Sequence, residues 1–92
     1  MTLSAKAWRH IRERHPELAN YRALITDALL SPEVVLRGQH GERKAVKLFT
    51  ETHLGSKYLV VVYRDEPSRK NIITAYFTSD LKRIKGESVW RT

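Results

Sequence analysis

The chain has 92 residues, enough for one domain whose core is simple, because a domain this small buries only about 60% or slightly more of the surface its unfolded chain exposes. With 41% hydrophobic and 29% charged residues and no cysteine, the composition is that of an ordinary globular protein; it excludes a disordered chain, a disulfide framework and a thiolate metal site. Seventeen Lys and Arg against ten Asp and Glu give a net charge of +7 spread along the whole chain, which favours a polyanionic partner, nucleic acid before a membrane surface.

Ser4 is placed to cap a first helix over residues 5–14, in which Ala7, Trp8 and Ile11 recur at helical spacing. Pro16 ends that helix or starts the next, because a residue before proline is pushed out of helical geometry. A second helix is predicted from Glu17 to Leu30, with Leu18, Tyr21, Ala28 and the pairs Leu24-Ile25 and Leu29-Leu30 on a broad apolar stripe, and Ser31-Pro32 stops it. The period then changes to that of strands. Residues 33–37 form the first, 44–50 the second, 57–64 the third and most hydrophobic, and 71–78 the fourth. Turns lie at 39–42 and 52–56, with a polar loop at 65–70. The segment from 79 onwards holds one helical turn and a short last piece at Val89-Trp90. The expected architecture is therefore α+β: two N-terminal helices packed on a four-stranded antiparallel β-sheet, in a single domain over 1–92. In the fourth strand Ile73, Ala75 and Phe77 are expected to face the helices. Ile72, Thr74, Tyr76 and Thr78 then face away, towards water or a ligand.

Four histidines invite a test for metal binding. His10 and His15 are separated by about 140° on an ideal helix and do not share a face as an i,i+4 zinc pair does, so no metal site is expected. Acid–base chemistry suits them better, since imidazole titrates near neutral pH and a helix C-terminus favours its cationic form at His15. The bland alternative is that both merely cap or pack beside Trp8 and Tyr21. Thr74 and Tyr76 place hydroxyls at i and i+2 of one strand, a pair suited to phosphate oxygens, or simply two good strand formers. Lys57, Arg64, Arg43 and Arg37 lie on or near the sheet, and each is either a phosphate contact or a solvated charge. No glycine-rich phosphate loop, Ser-His-Asp pattern or aromatic ribonucleoprotein motif is present, and no cofactor is expected. No apolar run approaches a membrane span, and no basic patch followed by an apolar stretch opens the chain, so the expected location is the cytoplasm.

Three segments resemble a known family. His10-Ile11-Arg12-Glu13-Arg14-His15-Pro16-Glu17 is similar to an "HI..RHPE" element of small phage and bacterial proteins. Ile72-Ile73-Thr74-Ala75-Tyr76-Phe77-Thr78 is similar to their "ITAYxT" strand, and residues 28–35 to their helix-to-strand junction; Val89-Trp90 also fits. These are the phage-type nucleases of the barnase–EndoU–colicin–RelE superfamily. The resemblance implies two helices on a four-stranded antiparallel sheet and metal-independent RNA cleavage. It also implies a site built from His15 or His10, a basic residue such as Lys57 or Arg64, and Thr74 with Tyr76. The partner is then RNA, with an acidic antitoxin or immunity protein holding a toxin or phage effector in check. The competing readings are a non-catalytic nucleic-acid-binding module and a small protein-interaction domain.

Overall fold

The first helix of the computed structural model begins where a local signal asks for it. The structure describes residues 3–67, 69–84 and 86–91. Helix α1 spans Ala5–Arg14, and the Ser4 hydroxyl caps it by accepting from the Ala7 N–H at 3.1 Å. It turns Ile11 fully inward and leaves Arg9, His10, Glu13 and Arg14 outside. The second helix starts later than the apolar stripe predicts. Pro16–Leu18 forms a separate 3-10 turn, and α2 runs only over Arg22–Leu30. Proline at the head of that turn fixes its start. The Tyr21 hydroxyl is held elsewhere, 2.9 Å from both the backbone N and Nδ1 of His53, with the two rings stacked.

The strands are β1 (Val34–Arg37), β2 (Arg43–Thr52), β3 (Gly55–Asp65), β4 (Lys70–Thr78) and β5 (Glu87–Arg91). All pair antiparallel in the order β4-β3-β2-β1-β5. The sheet thus has five strands where four were expected: the short piece around Val89-Trp90 is long enough to pair with β1. Gly86 allows this entry. Its φ of +140° suits glycine, and a Cβ there would sit 2.5 Å from the Arg37 carbonyl oxygen. The expected helical turn is Leu81–Arg83, capped by Asp80, whose carboxylate accepts from the Lys82 N–H.

Two apolar clusters flank the sheet. On the helix side Ile11, Leu18, Ile25, Ala28 and Leu29 pack on Val35, Ala45, Leu59, Val61, Tyr63, Ile72 and Ala75. On the other face Val34, Leu36, Val46 and Val60 pack with Ile84, and Tyr58, Val62 and Tyr76 close the margin. The face expected to be wet therefore carries an apolar cluster of its own. A second correction concerns β4. Ala75 and Phe77 face the helices as predicted, but Ile72, not Ile73, joins them. A register shift between Val62 and Tyr63 of β3 leaves Ile73 as the extra residue of β4, and it stays 40% exposed.

Lys47 on β2 reaches up to Asp27 on α2 at 3.2 Å, and the Glu33 carboxylate accepts from the Leu48 N–H at 2.8 Å. These contacts tie α2 to β2 and the residue before β1 to the same strand. The C-terminal end of α1 is left lying against β4.

Candidate active site

The geometry at the end of α1 follows from one residue, Pro16. Because it disfavours helical torsions in the residue before it, His15 leaves the helix at φ −134° and ψ 70° while its N–H still donates to the Ile11 carbonyl at 2.7 Å. The angular offset of an ideal helix no longer applies. His10 and His15 therefore line one open cleft of about 560 Å³ together with Arg14, Thr74 and Tyr76. His10 and Arg14 are i and i+4 on the exposed side of α1, which brings them to the same edge. Thr74 and Tyr76 come from alternate positions of β4, opposite Val62 and Val60 of β3.

His15 is held from two sides. Its ring lies 5.8 Å from that of Tyr76, tilted by 36°. Its Nδ1 lies 3.5 Å from Oε1 of Glu17, an ion-pair distance longer than a hydrogen bond. The Tyr76 hydroxyl is pushed above its ordinary ionisation range by burial against the second cluster, so at neutral pH it is a neutral donor. The cleft thus combines two imidazoles, one guanidinium and two hydroxyls. That set can exchange protons and neutralise an oxyanion at one place.

All four residues predicted to be catalytic, His10, His15, Thr74 and Tyr76, meet in this cleft. The three predicted phosphate contacts do not join them. Lys57 points to the helix side of β3, in a hollow shared with Glu17, Phe77 and Arg83. Arg64 shares the Thr74 face, but its Nη1 donates to the His40 carbonyl at 3.3 Å, at the turn between β1 and β2. Arg43 lies beside Tyr63 and Trp90, at the other end of the sheet. The basic residue that does line the cleft, Arg14, was missed, as was Glu17. The i,i+4 spacing of His10 and Arg14 was the available signal. Glu17 had none, since its approach to His15 depends on the 3-10 turn.

Tyr63 behaves like Tyr76: burial first, then the nearby Asp65, raises its hydroxyl's ionisation range, with Arg43 opposing. Both phenols ionise later in the folded chain than in the unfolded one. The stability they contribute is complete below about pH 10 and is lost as pH rises through the folded values. The melting temperature should therefore fall above about pH 10. The fall should be smaller in Tyr63→Phe and Tyr76→Phe proteins, and an identical alkaline profile in all three would contradict this.

No family model, curated protein or solved structure matches the chain.

Proposed function

We propose that this protein is a metal-independent endoribonuclease of the barnase–EndoU–colicin–RelE type. The observation that carries the reading is the convergence of His10, Arg14, His15, Thr74 and Tyr76 on one cleft of a chain with net charge +7. The substrate is RNA because the nucleophile is the ribose 2′-OH. His15, oriented by Glu17, takes the 2′-OH proton on Nε2 as that oxygen attacks the adjacent phosphorus in line. Arg14 and the Thr74 and Tyr76 hydroxyls donate to the phosphoryl oxygens as negative charge builds on them. His10, as imidazolium, protonates the departing 5′-oxygen. The products are a 2′,3′-cyclic phosphate and a 5′-hydroxyl end, and the two histidines exchange protonation states over the step. With Arg14 supplying the positive charge, the step calls for no metal ion.

Such an enzyme acts as a toxin or phage-type effector in the cytoplasm. Its basic surface suits an acidic antitoxin or immunity protein as inhibitor. The test is incubation of the purified protein with total RNA and with DNA of matched length, with and without a chelator. The expected result is chelator-insensitive scission of RNA alone. Salt-sensitive binding without scission would overturn catalysis in favour of a nucleic-acid-binding module. Unimpaired growth of bacteria overproducing the wild-type chain would overturn the toxin role.

A further inference from the structure

Lys6, His10 and Arg14 follow one another at i, i+4 and i+8 and form a slowly winding row along the exposed side of α1. His10 and Arg14 line the histidine cleft, and the row continues past it. Lys6 stands one turn, about 6 Å, nearer the helix N-terminus than His10. Arg9 lies beside Lys6 at i+3 and is exposed as well. Neither side chain forms a hydrogen bond or an ion pair among the described residues. No acid precedes Glu13 in the helix, and Glu13 makes no ion pair with Arg9, one turn away, among the described residues. The other flank of α1 is different. Arg12 lies over the Trp8 ring, 5.7 Å from its centre, as does Arg22 of α2, so an aromatic face already engages these two guanidiniums.

The proposed reaction gives this row a direction. In an in-line displacement the attacking 2′-oxygen and the departing 5′-oxygen lie on opposite sides of phosphorus. His15 serves the first and His10 the second, so the path from attack to departure runs along α1 from its C-terminal end towards its N-terminus. The departing oxygen belongs to the nucleotide on the 3′ side of the cut. An extended strand then continues from His10 in the direction of Lys6 and Arg9. At about 3.4 Å of rise per nucleotide in a stacked strand, the turn between His10 and Lys6 covers one to two nucleotides. On the 5′ side the first charge past His15 is Glu17, an acid, which lines the next hollow with Lys57 and Arg83. A phosphate there meets a carboxylate as well as cations. Towards Lys6 and Arg9 the helix offers cations alone.

We propose that Lys6 and Arg9 bind the RNA phosphates downstream of the cut, so that the 3′ part of the substrate runs along α1 towards the helix N-terminus. This polarity rests on the nuclease reading, with His10 as its acid, and it makes the 3′ neighbours of the cut part of the recognised substrate.

The test uses DNA oligonucleotides that carry a single ribonucleotide, made with each base in turn, so that scission has only one place to occur. One set extends by several deoxynucleotides on the 3′ side of the ribose, the other on the 5′ side. At low salt kcat/KM for the 3′-extended set should exceed that for the 5′-extended set by about five- to tenfold, the worth of two exposed ion pairs. Lys6→Gln and Arg9→Gln together should bring the two sets to within about twofold, through KM, and leave cleavage of a ribonucleotide–deoxynucleotide dimer unchanged. Arg12→Gln, on the other flank, should keep the preference, and added salt should erase it. A second measurement needs no cleavage. A 2′-O-methyl tetranucleotide, which lacks the nucleophile, carries a nitroxide at its 3′ or its 5′ end and is added to the nitrogen-15-labelled chain. The 3′ label should broaden the amide resonances of residues 5–9, and the 5′ label should not. A chain that binds with this polarity but cuts nothing would keep the track and lose the nuclease reading, so the two failures are separately readable. The track is overturned by equal or greater use of the 5′-extended set, by an Arg12→Gln effect as large as that of the double variant, by broadening of residues 5–9 from the 5′ label, or by no binding at low salt.

Discussion

Replacing His15 by alanine is expected to lower RNA cleavage about 10²–10⁴-fold, the usual worth of a positioned general base. The fold should survive. The His15 side chain is 34% exposed, its contacts are one ring face of Tyr76 and one oxygen of Glu17, and no cavity opens in either apolar cluster when it is cut back. Substitutions at such positions usually change stability by less than about 0.5 kcal/mol. The predicted outcome is therefore a protein with a near-wild-type melting curve and almost no scission of a labelled oligoribonucleotide. His10→Ala should slow the same reaction by loss of the acid. The pH–rate profile separates the two roles, because removal of the base erases the acidic limb and removal of the acid erases the alkaline one. Undiminished cleavage by both single variants would sink the mechanism.

Ile25→Ala should do the reverse. Ile25 is fully buried at the centre of the helix-side cluster, where α2 meets the sheet. Truncating a buried isoleucine removes its transfer free energy and leaves a cavity, together about 2–5 kcal/mol. In a domain whose whole stability is about 5–15 kcal/mol, that is a large fraction. At about 4–8 °C per kcal/mol for a domain near this size, the melting temperature should drop by roughly 10 °C or more, as read by circular dichroism. Cleavage per folded molecule at low temperature should persist, since no residue of the histidine cleft is touched. A loss below about 1 kcal/mol would mean that the site collapses around the change, or that α2 is not seated as described.

The two predictions draw on parts of the molecule that the sequence discloses unequally. Helix α1 was readable to the residue, because Ser4, the Trp8–Ile11 spacing and Pro16 are all local signals. The meander β1–β4 was readable for the same reason: turn residues and a change of hydrophobic period are printed along the chain. Strand β5 was not. Five residues with only Val89 and Trp90 apolar carry little pattern, and their pairing with β1 is decided by Gly86 and by an edge some fifty positions back in the chain. The bulge that exchanges Ile72 for Ile73 was hidden too, since strict alternation hides an extra residue.

The candidate site was half legible. Residue types and strand alternation point to His15, Thr74 and Tyr76, but ideal helix geometry separates His10 from His15. The cap imposed by Pro16 undoes that separation, and with it comes Arg14, the basic residue that sequence placed on the sheet at Lys57, Arg64 or Arg43. A helix end is where the regular period stops being a guide. Here the residues after the last helical turn do the gathering.

The strand order β4-β3-β2-β1-β5 also sets a sequence of events in time. Three of its four pairings join neighbours in the chain through short turns, whereas β1 with β5 closes a loop of about fifty residues. Closing that loop costs more chain entropy than closing any hairpin of the meander, so it forms after them and opens before them. Amide protons of residues 87–91 should accordingly exchange with solvent sooner than those of residues 59–63, and equal protection would show that the sheet assembles as one unit. Trp90 then arrives at its place opposite Val35 only in the last step of folding, and the hollow it lines with Arg43 and Tyr63 comes into being with it.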